Sequence, residues 1–162
     1  MSDKSEDGSE LRPTRFPWPP VLIAGTILAA LVLLRIWPLA WPGTNDLAAR
    51  IVGYALGAAG CAVFAWALLT LWSARTTILP NQAASRLVTW GPFRYRRNPI
   101  YLAEILIFLG LAEVTKNIWF VILAPVFAAL VTWLAILPEE KHLEARFGDA
   151  YRDYKARVRR LI

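Results

Sequence analysis

Cysteine, histidine and charged residues are all scarce in this chain of 162 residues. Its one cysteine, Cys61, has no partner for an intrachain disulfide. It lies inside an apolar run and reads as a small buried apolar residue. With one histidine and one cysteine, the chain lacks the Cys and His side chains from which zinc sites are ordinarily built, so no metal is expected. Charged residues make up 19% of the chain and hydrophobic residues 57%. Soluble domains sit near ~25% and ~45–50%, so an ordinary soluble domain is excluded.

What remains is apolar, aromatic and basic. Four stretches are long enough to consider as membrane spans: Pro20 to Pro38, Ile51 to Trp72, Pro99 to Thr115, and Ile118 to Pro138. Each is roughly 17–22 residues, which crosses a ~30 Å hydrocarbon core at ~1.5 Å per residue. The third is the weakest, because Glu104 and Glu113 interrupt it. The eight Trp suit the boundary between lipid and water. The expected fold is therefore an all-α integral membrane protein of about four transmembrane helices. Residues 1–15 are polar, of mixed charge and without a signal-peptide cleavage pattern, and read as a disordered cytoplasmic tail. Residues 16–75 hold the first two spans. Gly53, Gly57 and Gly60 form a small-residue ridge on the second, suited to close helix packing within or between chains. Oligomeric state stays open.

Basic residues set the orientation. Of 18 Lys and Arg, only Arg35, Arg50 and Lys116 fall on one side of this arrangement. The others lie in the N-terminal tail, in the connection between spans two and three, and after span four. By the positive-inside rule that second side is cytoplasmic, with both termini on it, as in a plasma (inner) membrane protein. The net charge of +6 is accounted for by anionic lipid headgroups beside the spans, without nucleic acid. After Pro138, Leu143, Phe147, Tyr151, Tyr154, Val158 and Leu161 recur on one helical face among charged or small residues. This predicts a C-terminal amphipathic helix lying on the membrane or against a partner.

Two segments carry candidate chemistry. The first runs from Leu87 to Leu102, the second from Glu139 to Tyr154. A tight turn over Glu113–Asn117 between spans three and four brings them together at the cytoplasmic interface. Asn98-Pro99 reads as a helix start, with Asn as N-cap and proline in the first turn. The free N–H groups there, with Arg94 and Arg97, suit a carboxylate, a hydroxyl or a lipid headgroup. Glu104 shares a face with Arg97 and Tyr101. An ionisable residue in a span faces the bundle or a wet cavity, as a functional group or as an ion-pair partner of Arg97. Neighbours Glu139 and Glu140 are ~100° apart on a helix, so one can meet a ligand while the other caps or meets solvent.

At these residues the sequence resembles the isoprenylcysteine carboxyl methyltransferase and phospholipid methyltransferase group of membrane enzymes. Their signature Arg-His-Pro-x-Tyr-x-Gly reads here Arg97-Asn98-Pro99-Ile100-Tyr101-Leu102-Ala103, and the later Glu-Glu reads Glu139-Glu140. The flanking Gly91-Pro92-Phe93-Arg94-Tyr95 is similar too. The resemblance covers about Thr76 to Ile162. It implies that residues 76–162 form a cofactor-binding region for S-adenosylmethionine, released as S-adenosylhomocysteine. Arg94, Arg97, Asn98, Pro99, Tyr101 and Leu102 would line one wall and Glu139 and Glu140 the other. Asn98 stands where the family has His and cannot titrate near neutrality, so a general base at that position is absent. Ala103 replaces Gly but stays small.

The resulting expectation is methyl transfer to an amphiphilic or lipid-linked acceptor that enters from the bilayer. Glu104 and Arg146 are the candidate catalytic residues on the acceptor side, Arg146 to hold an acceptor carboxylate. Prenylated cysteine carboxylates, phospholipid amines, small thiols and other lipids remain open as acceptors. A membrane reductase of the sterol-reductase type using NADPH, and a non-enzymatic scaffold, are the competing readings.

Overall fold

Helix starts and stops follow local chemistry. The computed structural model describes residues 17–44, 46–76 and 86–161; the expected polar tail over residues 1–15 lies outside them. Helix α1, Trp18–Ile36, carries proline in its first turn, where a missing N–H leaves no bond unmade. Asp46 caps α2, Leu47–Ser73, by accepting the Ala49 N–H at 2.8 Å. A short 3-10 turn, Gly91–Arg94, precedes α3, Pro99–Thr115, which ends where Lys116 turns into the left-handed region at φ 54°. Helix α4, Trp119–Val131, then runs through a wide π-helical turn, Thr132–Ile136, into α5, Leu137–Phe147. Helix α6, Asp149–Arg157, follows.

The expected end of the fourth span at Pro138 is corrected: the helix passes through it. In a regular helix the Pro138 ring would press on the Leu134 carbonyl. The widened π turn directly ahead of it relieves that contact and lets the rod continue. The single amphipathic helix expected after Pro138 is also corrected, because it is two helices. Gly148, at φ 53° and ψ −126°, breaks it between α5 and α6; a side chain disfavours that backbone conformation. Its apolar face turns inward, with Tyr151 and Tyr154 buried.

Three helical rods are long and apolar enough to cross a membrane: Trp18–Ile36, Leu47–Ser73 and Trp119–Phe147. Helix α3 has 17 residues and falls just short of that length. The chain is thus an all-helical integral membrane protein among its described residues. Large side chains such as Leu28, Ile36, Trp66, Trp72 and Trp133 are exposed, as lipid-facing surfaces require.

Helix α2 packs on α3, α3 on α4, and α4 on α1. The ridge of Gly53, Gly57 and Gly60 seats on α3, where Gly60 meets the Ala103 carbonyl. Cys61 is exposed, which corrects its expected burial. One step (~100°) round the helix from Gly60 carries it off the packed face. The aromatic core stacks Phe108 on Phe120, ring centroids 6.1 Å apart, and sets Phe108 edge-on to Phe127 at 5.1 Å.

One end of the bundle is clamped by the α3–α4 turn. Fully buried Asn117 donates to the Ala30 carbonyl of α1 at 2.9 Å and accepts the Trp119 N–H at 3.1 Å. Lys116 pairs with Glu113, donates to the Thr44 carbonyl at 3.1 Å and sits 5.3 Å from the Trp41 ring centre. Trp119 Nε1 donates to the Trp37 carbonyl at 2.9 Å. Replacing Asn117 with alanine removes the tie between α1 and the hairpin. The expected cost is about 1–2 kcal/mol, read as a melting temperature about 2–8 °C lower in detergent. An unchanged melting temperature would contradict the clamp.

Candidate active site

The opposite end of the bundle is open. Helices α1 and α2 are consecutive in the chain but share no substantial interface among the described residues. Between the start of α1 and the end of α2 lies a cavity of about 420 Å³, within the range of roughly 300–1,000 Å³ usual for small-molecule sites. Its apolar arm is lined by Ile23 of α1 and by Phe64, Leu68 and Leu71 of α2. Its polar arm is lined by Arg97, Asn98, Pro99, Tyr101 and Glu104 on one side and Glu139, Glu140 and His142 on the other. Tyr151 and Tyr154 of α6 cover it.

Helical spacing explains the polar wall. Pro99 starts α3, so Arg97 and Asn98 stand at its mouth while Tyr101 and Glu104 follow on successive turns of one face. Asn98 occupies the N-cap position, yet its side chain makes no capping bond. Its Nδ2 is buried without a hydrogen-bond partner among the described residues. The same holds for Nε and Nη1 of Arg97 and for Oε2 of Glu104. Buried polar groups of native proteins are normally hydrogen-bonded. Four such atoms gather on one cavity wall, where they could meet polar groups of a ligand.

Glu140 holds the wall together. Arg160 grips it with both prongs, Nε to Oε1 at 2.9 Å and Nη2 to Oε2 at 2.7 Å. Arg97 Nη2 lies 3.3 Å from Oε1. Of the two readings of Glu104, the ion pair with Arg97 is not formed, because Arg97 pairs with Glu140 instead. The chain after α6 runs beside the start of α3. Arg97 N–H donates to the Arg159 carbonyl at 2.9 Å, Asn98 N–H to the Arg160 carbonyl at 3.2 Å, and Arg96 Nε to the Leu161 carbonyl at 3.1 Å. Tyr154 Oη donates to the Phe93 carbonyl at 2.7 Å. Burial raises the pKa of the Tyr151 and Tyr154 phenols, so both stay neutral donors. Its hydrogen bonds to Glu140 raise that of Arg160.

Of the residues singled out from sequence, Arg97, Asn98, Pro99, Tyr101, Glu104, Glu139 and Glu140 converge on this cavity. Arg94 and Arg146 are exposed and line no part of it, and Arg146 lies over the Phe147 ring, 6.0 Å from its centre. Leu102 is half-buried and also stands off the cavity. Sequence reasoning missed His142, Tyr151, Tyr154 and Arg160. His142 lies one turn from Glu139 on α5, a spacing that would have found it. The two tyrosines were on the tail's apolar face, but that face was assigned to the membrane or a partner. Arg160 lies beyond the last helix, where no periodicity marks it.

Residues 48–150 match the phospholipid methyltransferase family. That is more than half of the chain, which therefore belongs to this family of membrane methyltransferases. The chain is also similar to the nickel-cobalt-cadmium resistance protein NccN of Alcaligenes xylosoxydans xylosoxydans, at 25% identity over 139 residues. The similarity covers 85% of this chain and 59% of that protein. No solved structure matches. The family match begins within α2 and stops short of Tyr151, Tyr154 and Arg160.

Proposed function

We propose that this protein transfers a methyl group from S-adenosylmethionine to an amphiphilic acceptor drawn from the membrane. The observation that carries the reading is the set of partnerless buried atoms on Arg97, Asn98 and Glu104, on the motif residues through which the chain resembles its family. They fit the cofactor. Arg97 and Asn98 offer donors for its carboxylate. Glu139 offers an acceptor for its ammonium or ribose hydroxyls. Tyr101, Tyr151 and Tyr154 offer aromatic faces for an adenine ring or a cation.

Bound there, the cofactor supplies an electrophilic methyl group on a sulfonium. The protein's part is then chiefly alignment of nucleophile, methyl carbon and sulfur, with the reacting atoms about 3–3.5 Å apart. Ile23, Phe64, Leu68 and Leu71 give the acceptor's apolar chain a lining and keep water away. Glu104 is placed to hold an acceptor's cationic group or take its proton. In this reading all four helical rods cross the inner membrane, and the cavity end faces the cytoplasm, where the basic residues gather.

The test is ligand-induced thermal stabilisation of detergent-purified protein. At a hundredfold excess over Kd, S-adenosylhomocysteine is expected to add about 2.7 kcal/mol, or roughly 5–10 °C. NADPH is expected to add nothing, and Glu139→Gln should weaken the shift without unfolding the protein. No shift at millimolar S-adenosylhomocysteine, with protein shown to be folded, would rule the proposal out.

A further inference from the structure

Glu140 has two arginine partners where one would satisfy it. A carboxylate and a single guanidinium form a closed pair, two parallel N–H···O bonds with no charge left over. Here Arg160 takes that bidentate place at 2.9 and 2.7 Å. Arg97 is left with one edge contact to Glu140 at 3.3 Å and a hydrogen bond to the Tyr151 hydroxyl. Its Nε and Nη1 stay buried and unpartnered, on a side chain only 9% exposed. The cluster of Arg97, Glu140 and Arg160 carries one positive charge in excess, on the guanidinium that lines the cavity.

We infer that Arg160 is a positioning residue: by occupying Glu140 it keeps Arg97 open to receive the carboxylate of the bound cofactor. Without Arg160, Arg97 is free to turn onto Glu140 as a bidentate pair. Nη2 and one of the two open nitrogens would then be taken by Glu140, and the local excess charge would vanish. The wall would survive, but its carboxylate site would not. This work falls to a residue outside the stretch that matches the family. Arg160 is brought to Glu140 by the backbone bonds from Arg97 N–H and Asn98 N–H to the Arg159 and Arg160 carbonyls. The same segment thus holds both motif residues from behind and sets their charge from the side.

The inference rests on the S-adenosylmethionine reading, and the test separates the two. Affinities of purified protein are measured for S-adenosylhomocysteine and for methylthioadenosine, which keeps the adenosine and thioether but has no amino-acid arm. Wild type should prefer S-adenosylhomocysteine. In Arg160→Ala, affinity for S-adenosylhomocysteine should fall about tenfold or more, as expected for losing a charge-assisted contact, while methylthioadenosine changes less than about twofold. Arg160→Lys keeps the charge but loses the fork, and its ratio should lie between. A parallel loss of both ligands would make Arg160 a purely structural residue and overturn the inference, as would an unchanged ratio. If Arg160→Ala does not fold, the Arg160→Lys ratio decides, and equality with wild type overturns the inference. Wild-type protein that binds neither ligand would overturn both this inference and the cofactor reading.

Discussion

Replacing Glu140 with alanine is expected to lower the melting temperature of the detergent-purified protein by about 6–20 °C. The reason is the partner left behind. Removing one member of a buried ion pair costs about 3–5 kcal/mol because the other charge stays desolvated. Arg160 is 36% exposed and can return to water, but the Arg97 side chain is only 9% exposed. Buried as it is, its guanidinium would be left without its ion-pair partner. The loss should also release the segment around Arg159 and Arg160, so S-adenosylhomocysteine should no longer stabilise what remains. Glu140→Gln keeps one acceptor oxygen and should fall between. A Glu140→Ala protein that melts with wild type would show that the triad holds nothing together.

Gly110→Ala should destabilise the protein, while Gly25→Ala should not. A Cβ added at Gly110 would lie 2.6 Å from the Gly57 nitrogen, 2.7 Å from the Gly57 Cα and 2.9 Å from the Gly53 carbonyl oxygen. All three are backbone atoms, so no rotamer change clears the overlap. Helices α2 and α3 must separate, at a cost of about 1–3 kcal/mol for a methyl and more for a larger side chain. Separation would also open the cavity between α2 and the start of α3, so ligand stabilisation should fall with it. At Gly25 of α1 the added Cβ meets nothing within 4 Å. There the better helix propensity of alanine should be neutral or add about 0.5–1 kcal/mol. Paired melting curves check both, and equal effects at the two sites would refute the close α2–α3 contact.

The helices were legible because a membrane span is a matter of length and apolarity. The third stretch was read as Pro99 to Thr115 and is α3 over those residues. The first two differ from α1 and α2 by only a few residues at their ends. The glycine ridge was legible for a related reason, since small residues at helical spacing need a neighbour. The fourth stretch misled at Pro138, because a proline reads as a stop unless a widened turn absorbs it. That turn, over Thr132–Ile136, has no signature in residue type.

Most of the polar wall was also in the sequence. Arg97, Asn98, Tyr101 and Glu104 share one face of one helix, and local spacing brings them to one cavity. What happens between elements was not. A helix that is apolar nearly all round has no polar stripe to tell which side meets lipid and which meets a neighbour, so Cys61 was placed inside when it lies outside. Arginines are equally ambiguous: Arg94, Arg97, Arg146 and Arg160 look alike in sequence, and two of them turn outward. By itself the sequence determined a bundle of apolar helices with a motif-bearing polar end, because length, apolarity and spacing act within a single element. Only the tertiary structure decided that the chain folds back after Gly148, and that Arg160 rather than Arg146 joins Arg97 at Glu140. That pairing depends on a contact between the end of the chain and the start of α3, and no local pattern encodes it.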